Sequence, residues 1–372
     1  MFFDSLPALL PPPLPGFPAV LVKDRPEDFV VEELPLYEPC GSGTHTYVWI
    51  EKRGINTRDA VRRIAALLGK RAADAGVAGL KDAAAVSRQW ISFEHVKANL
   101  DALKALECPG LKVMGVSAHG NKLRMGHLRG NRFVITLRMP EDTPATRSVV
   151  VQRVAEVCAV LREKGVPNYY GPQRFGRDGD NAVLGRLLVT GDEEGFRRAC
   201  AERHGQRQSA DRKMRNLLVN AFQSELFNRV LALRMPEISR LLPGDLACIH
   251  RNGAVFNVVT ADDAQREQPR ADAGEISPSG PLFGPKMPKP EGQPREIEDR
   301  VVAEAGVSPE DFGRREAESQ PGARRSLRAM LLETPEIGEA SGGVTIKFAL
   351  PSGSYASVVL REIVGNGASP CE

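Results

Sequence analysis

The sequence predicts an α/β (α+β) protein in which strands near both ends of the chain share one mixed sheet. Short runs of β-branched and aromatic residues recur before residue 140, and amphipathic helical segments alternate with them. A strand-like run returns at residues 344–350, followed by a closing helix over residues 355–364. The segment between these two sets of strands is therefore expected to form an inserted module.

Length and composition indicate an ordinary globular protein of about two domains. The 372 residues are 42% hydrophobic and 26% charged, with a formal net charge of +3. Such a mild positive balance permits an acidic partner without requiring one, so local clusters of charge must indicate the partner.

The six cysteines form no CxxC pair and no cluster with histidine. This pattern argues against structural zinc and a disulfide framework, and it is typical of a reducing cytoplasm. No apolar run approaches the roughly 20 residues of a membrane span. The proline-interrupted first residues lack a basic region and predict a polyproline-like arm rather than a signal peptide.

The first elements follow from local pattern. Residues 23–33 combine a turn with a short strand, and residues 44–52 predict a second strand. A helix follows that Asn56 or Thr57 can cap and Gly69 can end. Its apolar side chains recur at helical spacing: Val61, Ile64, Ala65 and Leu68.

The segment at residues 76–93 holds the most informative carboxylate. Asp82 follows two glycines, lies between Lys81 and Arg88, and precedes a strand-like run at residues 90–93. Nearby cations favour the ionised form of a carboxylate, which is a suitable setting for a nucleophile or base acting on a polyanion. The alternative is a surface loop whose aspartate only pairs with its neighbours.

Three further features each admit two interpretations. Phe29 can pack in the core or contact a ligand. Asn131, in a predicted Gly130–Asn131 turn before a strand, can support that turn or present its amide to a base. The aromatics of the loop at 166–181, which alternate with arginines, can stack on bases or pack the loop against its neighbours.

Basic residues are concentrated at 196–215 and again in Arg324, Arg325 and Arg328, which raises the prospect of a phosphate-facing surface. A helix over 220–233 predicts Phe222, Leu226, Val230 and Leu233 as buried. Residues 262–300, rich in proline, glycine and charge, predict long loops.

Motifs for nucleotide cofactors, zinc proteases and serine nucleophiles are lacking in this sequence. The remaining chemistry is a lone carboxylate, aromatic rings and arginines. A carboxylate can catalyse without a metal when its substrate is held rigidly, and aromatic rings can hold an extruded base. These features favour RNA handling without specifying a reaction.

A set of segments in order resembles the TruD family of tRNA pseudouridine synthases. They span residues 22 to 364, which is nearly the whole chain: KDRPEDFVVEE (23–33), AGLKDAAAVSRQW (78–90), GHLRGNRF (126–133), VPNYYGPQRFG (166–176), AFQSELFNRVL (221–231), SGPLFG (279–284), GARRSLRAML (322–331) and FALPSGSYASVVLRE (348–362).

The resemblance implies that a uridine of tRNA, uridine 13, is isomerised to pseudouridine without cofactor or metal. Asp82 matches the aspartate of the family's GxKD motif and would be the catalytic nucleophile or base on a flipped-out nucleotide. Phe29, Asn131 and Tyr355 would line the uracil pocket, with Phe133 where other pseudouridine synthases carry tyrosine. Lys23 is a candidate partner of the Asp82 carboxylate.

The resemblance also implies a pseudouridine synthase catalytic domain at 1–158 and 308–372, with a family-specific domain inserted at 159–307. The expected partner is tRNA, bound by a monomer with no membrane contact. The candidate RNA-binding residues are Arg88, Arg132, Tyr169, Tyr170, Arg174 and Phe175. An RNA-binding protein without catalysis is the second hypothesis, and an aspartate-dependent nucleoside glycosidase is disfavoured because no second carboxylate motif is present.

Overall fold

The computed structural model describes residues 2–96, 100–176, 178–204, 212–313 and 321–365. The chain divides into two compact units. The sheet unit comprises Pro13–Ala159, Leu331–Gly353 and the segment from Ile363, and the helix-rich unit comprises the first twelve residues, Val160–Met330 and Ser354–Glu362. The predicted domain boundaries at 159 and 307 stay a prediction about the family architecture.

The elements run in the following order. The α-helices of the described residues are α1 (Thr57–Leu67), α2 (Leu100–Lys104), α3 (Pro144–Lys164), α4 (Asn181–Thr190), α5 (Glu193–His204), α6 (Arg212–Leu233), α7 (Ala261–Asp272), α8 (Gly292–Glu304) and α9 (Ala356–Val364). The strands are β1 (Leu21–Val22), β2 (Phe29–Pro35), β3 (His45–Lys52), β4 (Gly76–Val77), β5 (Val86–Glu94), β6 (Glu107–Cys108), β7 (Leu111–His119), β8 (Leu128–Arg138), β9 (Val166–Pro167), β10 (Leu246–Ile249), β11 (Val255–Asn257), β12 (Ile276–Leu282), β13 (Ala323–Ser326), β14 (Arg328–Ala329), β15 (Glu336–Ala340) and β16 (Gly343–Pro351).

One mixed sheet organises the sheet unit. Its strand order is β15-β16-β8-β2-β5-β3-β7-β6, with β1 beside β8 and β4 beside β5. Strand β16 pairs antiparallel with β8 along nine residues, so the late strand joins the early ones as predicted. Strands β2 and β5 are parallel, whereas β3 is antiparallel to both β5 and β7. The predicted mixed α/β class is therefore confirmed.

Helix α1 packs on this sheet in the predicted register. Asn56 caps it by accepting the backbone N–H of Asp59, and Gly69 follows its end with φ of +61°. Val61, Ile64 and Ala65 join the buried side chains of β3, β5 and β7 in one apolar core. Helix α1 starts five residues after β3 ends, and in the junction between them the backbone N–H of Gly54 donates to the carbonyl oxygen of Ala83, in the loop before β5, at 3.1 Å.

Two predictions about the helix-rich unit are wrong. Residues 262–300, predicted as long loops, contain α7, β12 and α8. Helix α7 has a capping box between Thr260 and Asp263, and Pro294 lies in the first turn of α8, where a missing N–H costs little. Leu233, predicted buried, is 41% exposed because it is the last residue of α6. Phe222, Leu226 and Val230 are buried as predicted.

The N-terminal residues pack on α9 within the helix-rich unit rather than forming a simple extended arm. Glu362 accepts the backbone N–H groups of Leu9 and Leu10, and Arg361 donates to the carbonyl of Phe3. Among the helices in the described ranges, we find none with the length and apolar character needed to cross a membrane.

The predicted turn at Gly130–Asn131 is wrong, because both residues lie inside strand β8. Gly130 is needed there for close approach. A Cβ atom on it would lie 2.1 Å from the carbonyl oxygen of Leu350 and 2.6 Å from the side chain of Leu332. The glycine therefore allows β8 to approach β16, and the following residue, Asn131, is held in a regular strand.

We expect Gly130→Ala to lower the free energy of unfolding by about 2 kcal/mol, since the added methyl group overlaps main-chain atoms. Gly120→Ala is the matched control, because no atom lies within 4 Å of its Cβ position. That control should change the free energy by less than about 0.5 kcal/mol in urea denaturation. Equal unfolding midpoints for the two variants would contradict the close-approach role of Gly130.

Candidate active site

The loop between β4 and β5 carries Asp82 and is anchored by buried side chains of its neighbours. Gln89 of β5 donates its amide to the carbonyl oxygen of Gly79 at 3.2 Å. Thr57, the first residue of α1, accepts the backbone N–H of Lys81 at 2.9 Å and donates to the Gln89 side chain at 2.9 Å. We call the segment at residues 79–82 the Asp82 loop. It has no regular secondary structure, so these contacts hold its main chain.

Lys52, the last residue of β3, supplies the third anchor. Its Nζ donates to the carbonyl oxygen of Asp82 at 2.6 Å and to that of Ile55 at 2.9 Å. The side chain is fully buried. The pKa of Lys52 is lowered to about 8, mainly by burial; Asp82 opposes this shift, and Lys81 makes a smaller contribution in the same direction as burial.

The Asp82 carboxylate itself reaches solvent, with 47% of its side chain exposed. One oxygen accepts the backbone N–H of Ala84 at 3.2 Å, and the other lies 3.7 Å from Nζ of Lys23. Lys23 has a φ of +61°, a left-handed conformation that is costly for a residue with a side chain. The backbone at Lys23 is thus held in an unfavourable conformation where its ammonium faces Asp82.

Three aromatic rings extend from this ion pair. Nζ of Lys23 lies 4.3 Å from the centroid of the Phe29 ring, and Phe29 meets Phe133 edge to face at 6.1 Å. Phe133 stacks on Phe348 of β16 at 5.4 Å. The short turn before Phe29 is held by Arg138, whose guanidinium donates two bonds of 2.6 Å to the buried carboxylate of Asp28.

Asn131 is held by a buried charged pair. Lys81 donates to Oδ1 of Asn131, and its Nζ lies 3.8 Å from the carboxylate of the buried Glu33. Burial raises the pKa of Glu33 and lowers that of Lys81, and each partner opposes the shift of the other. An ammonium can only donate, so the Asn131 amide turns its oxygen to Lys81 and its NH₂ group away.

The cations expected to surround Asp82 are arranged differently from the prediction. Lys81 bonds Asn131 and faces Glu33, while Arg88 pairs with Glu51 at 2.8 Å and with Glu32 at 3.5 Å. Neither cation is the ion-pair partner of Asp82. Side chains alternate between the two faces of β5, so Arg88 points to Glu51 and Glu32, while Lys81 faces the buried carboxylate of Glu33. Arg132 also bridges two carboxylates, those of Glu32 and Glu333.

In the helix-rich unit, the predicted aromatic loop is packed rather than open. Tyr169 is fully buried, with its hydroxyl donating to the carbonyl oxygen of Pro7 at 3.2 Å, and Phe175 is buried beside Phe2. Asn228 of α6 holds the loop by bonding both the N–H and the carbonyl of Tyr170. Burial therefore favours the packing interpretation for Tyr169 and Phe175.

Tyr170 has a different environment, because two guanidinium groups lie over its ring. Arg325 lies 4.2 Å and Arg174 5.4 Å from the ring centroid, and Tyr355 meets the same ring at 5.9 Å. Burial raises the pKa of Tyr355, while Arg174 opposes this shift. Tyr355 belongs to the helix-rich unit, and its part in binding uracil stays a prediction of the GSY motif.

The basic cluster predicted at residues 324–328 is mostly internal. Arg324 is paired with the buried Glu298 at 2.8 Å, and Arg328 is fully buried among carbonyl oxygens and Ser277. Only Arg325 of these three contributes to the aromatic cluster around Tyr170. Of the earlier basic run, Arg215 pairs with Glu193, and residues 205–211 lie outside the described part of the chain.

Sequence reasoning missed the groups that hold the Asp82 loop and Asn131: Lys52, Thr57 as an anchor, Gln89 and Glu33. Glu33 and Gln89 lie inside the matched family segments, and Lys52 and Thr57 lie outside them, but the sequence does not indicate the contacts of any of the four. Strand β2 carries Glu33, and the packing of β3, β5 and α1 brings the other three side chains to the loop. Within the described residues, no three His, Cys, Asp or Glu side chains converge in a way that could hold a metal ion.

We expect Lys81→Met to lower the free energy of unfolding by about 3 kcal/mol near pH 8, because Glu33 is left buried without its cation. The difference in the free energy of unfolding between the wild type and this variant should be smaller at pH 5. The raised pKa of Glu33 lets it bind a proton in the folded state, and stability is lost as pH rises through that value. Chemical denaturation at both pH values measures this difference.

The double variant Lys81→Met/Glu33→Leu should recover most of that loss, since neither charge is then buried alone. Lys347→Met, which removes an exposed partner of Glu336, is the control and should change stability by less than about 0.5 kcal/mol. A double variant as unstable as Lys81→Met would rule out the uncompensated charge as the cause.

Comparison with known proteins supports the same family throughout the chain. The profile of tRNA pseudouridine synthase D (TruD) matches residues 15–211 and 202–363. Proteins named tRNA pseudouridine synthase D from Geobacter sulfurreducens, Anaeromyxobacter sp. and Thermus thermophilus are 38%, 40% and 41% identical. These matches cover 94%, 95% and 92% of this chain and 95%, 95% and 88% of the relatives.

A crystal structure from Methanosarcina mazei, described as a tRNA pseudouridine synthase D (TruD), shares the fold with a TM-score of 0.74. The match covers 98% of this chain and 95% of that one at 24% identity. The family predicted from the sequence motifs is confirmed. This chain belongs to the TruD family of tRNA pseudouridine synthases, isomerases that convert a uridine of tRNA to pseudouridine.

Proposed function

We propose that this chain isomerises uridine 13 of tRNA to pseudouridine, with Asp82 as the catalytic nucleophile or base on a flipped-out nucleotide. The observation that carries the proposal is the Asp82 carboxylate, which is exposed to solvent yet paired with Lys23 on a loop held by buried anchors. An exposed carboxylate on a rigid loop can meet a substrate without first reorganising.

The reaction balances without an oxidant, a reductant or a second substrate. The bond between C1′ and N1 breaks, the uracil turns, and a bond forms between C1′ and C5. The proton on C5 leaves and N1 gains one, so the product is an isomer of the uridine. An ionised carboxylate at this place can attack as a nucleophile or take the C5 proton as a base, and Lys23 stabilises its charge.

The neighbouring groups suit a uracil ring. Phe29, whose ring lies under the Lys23 ammonium, and Phe133 are mostly buried, with 8% and 7% of each residue exposed, so we propose that they form the apolar wall of the pocket. The Asn131 amide directs its NH₂ group away from Lys81, so it is available to donate to a uracil carbonyl. We assign Phe29, Phe133 and Asn131 to the uracil pocket on these grounds, and Tyr355 on its motif alone.

Contacts with the rest of the tRNA are proposed for Arg174, Arg88 and Arg132, which are partly exposed. Tyr170 is buried, with 9% of the residue exposed, and we propose that its ring supports Arg174 for phosphate binding. Arg88 and Arg132 would have to exchange their carboxylate partners for phosphate. We further propose that the enzyme acts as a monomer in the cytoplasm, with the insertion at 159–307 as the family-specific domain.

Asp82→Asn should lower the rate of pseudouridine formation by about 10³-fold or more, because it removes the reacting carboxylate but keeps its shape. Binding of tRNA should stay within about threefold, since one carboxylate adds nothing to phosphate affinity. Primer-extension mapping of pseudouridine on a tRNA transcript measures the rate and the position, and filter binding measures affinity. Unchanged activity of this variant would disprove the assignment of Asp82.

Lys23→Met should lower kcat about 10- to 100-fold, because the Asp82 carboxylate loses its nearest cation. The matched control is Lys112→Met, whose ammonium pairs with Glu107 on the surface of the same unit at 3.0 Å. That control should keep kcat within about twofold. Equal kcat values for the two variants would show that the ion pair does not assist the reaction.

The second candidate, RNA binding without catalysis, makes a different prediction from the same assays. Wild-type protein would bind tRNA in a salt-dependent way and leave every uridine unchanged. The exposed, rigidly held carboxylate favours the isomerase, since a surface that only binds phosphate gains nothing from an acidic group.

A further inference from the structure

Lys52 is a buried cation that takes no direct part in the bond-breaking and proton-transfer steps described above. It ends β3, and its ammonium donates to the main-chain carbonyl oxygens of Ile55 and Asp82. Both acceptors are neutral. Within the described part of the chain, Lys52 therefore has no carboxylate in direct contact, whereas Lys81 is paired with Glu33. The acidic group that raises its pKa is the carboxylate of Asp82, which is the group proposed to react.

We infer that Lys52 is a positioning residue for the isomerisation: its ammonium fixes the main chain at Asp82 and places a positive charge close to the reacting carboxylate. This inference rests on the proposed role of Asp82. Because the carbonyl carbon and Cα of Asp82 are adjacent, holding the carbonyl leaves only the rotation of a short side chain free. A displacement of about 1 Å at such a group can cost roughly 100-fold in rate.

The cost of burying this charge supports a role beyond folding. Burial lowers the pKa of Lys52 from 10.5 to about 8, so the folded protein holds the charged form less readily than the unfolded chain does. An apolar side chain of the same length would avoid that cost. What an apolar side chain cannot do is donate to the Asp82 carbonyl and present a positive charge there.

The other anchors of the Asp82 loop differ from Lys52 in one useful respect. Thr57 and Gln89 hold the main chain at Lys81 and Gly79 through groups that do not titrate. Lys52 holds residue 82 itself through a group that loses its proton in an accessible range. The charged groups that act on it are Asp82, which favours the ammonium, and Lys81, which disfavours it.

The pH dependence follows with a definite sign. As pH rises above 8, Lys52 becomes neutral, its bond to the Asp82 carbonyl weakens and the positive charge is lost, so kcat should fall. Folding stability should move in the opposite direction. Between pH 8 and 10.5 the unfolded state binds the proton that the folded state has released, so this group increases stability with pH. Loss of activity therefore would not reflect unfolding.

The test measures kcat and KM for pseudouridine formation on one tRNA transcript between pH 6 and 9.5. Lys52→Gln keeps a donor but removes the charge. It should lower kcat at pH 7 about 10- to 100-fold, leave KM within about twofold, and abolish the alkaline decline. Lys52→Arg keeps the charge across the whole range, so its kcat should recover part of this loss and show no decline.

Thr57→Val is the matched control, because it removes a neighbouring anchor without removing a titrating group. Its kcat should fall while the alkaline decline of the wild type persists. Thermal melting of each variant at pH 7 and 9 establishes that the folded protein is being assayed.

A Lys52→Gln variant with wild-type kcat, or with an alkaline decline at the same pH, would overturn the inference. A loss explained by KM alone would also overturn it, since a buried positioning residue does not contact RNA. If Lys52→Gln does not fold, Lys52→Arg decides, because a decline near pH 8 in that variant excludes Lys52 as the titrating group. Wild-type inactivity on tRNA, or full activity of Asp82→Asn, would instead contradict the proposed function.

Discussion

The hydrogen bond from the buried ammonium of Lys52 to the Asp82 carbonyl connects the sheet to the Asp82 loop. Strand β3 ends at Lys52, α1 begins at Thr57, and β5 contributes Gln89, so three regular elements each hold one residue of the Asp82 loop. Main-chain polar groups in a short loop need partners, and here side chains from rigid elements provide them. A segment without secondary structure thereby holds Asp82 in one place, as its proposed catalytic role requires.

The charged side chains of the sheet unit also have specific partners. Most of the cations near β2 and β8 face carboxylates: Arg138 faces Asp28, Arg132 faces Glu32 and Glu333, and Lys81 faces Glu33. Lys23 is distinct, because its partner is the exposed Asp82 and its backbone adopts a left-handed conformation. Backbone strain of this kind persists only where surrounding contacts impose it, and such places are often functional.

Sequence reasoning was most successful where the signal was local. The strands at 23–33, 44–52 and 344–350, the helix α1 with its Asn56 cap, and the motif order of the TruD family all follow from short-range patterns. It failed where glycine and proline serve tertiary contacts. Gly130 was predicted as a turn residue but lies in β8, where the carbonyl oxygen of Leu350 leaves no room for a side chain. The proline-rich segment at 262–300 was predicted as loops but contains two helices and a strand.

By itself the sequence determined the mixed α/β class, the family and Asp82 as the candidate carboxylate, because periodicity and ordered motifs are properties of the chain alone. Only the tertiary structure decided which cation pairs with Asp82, namely Lys23 rather than Lys81 or Arg88. It also decided that Lys52, distant by thirty positions, holds the Asp82 main chain. The physical reason is that hydrogen bonds and ion pairs depend on distances of a few ångströms, and strand pairing sets these distances independently of separation along the chain.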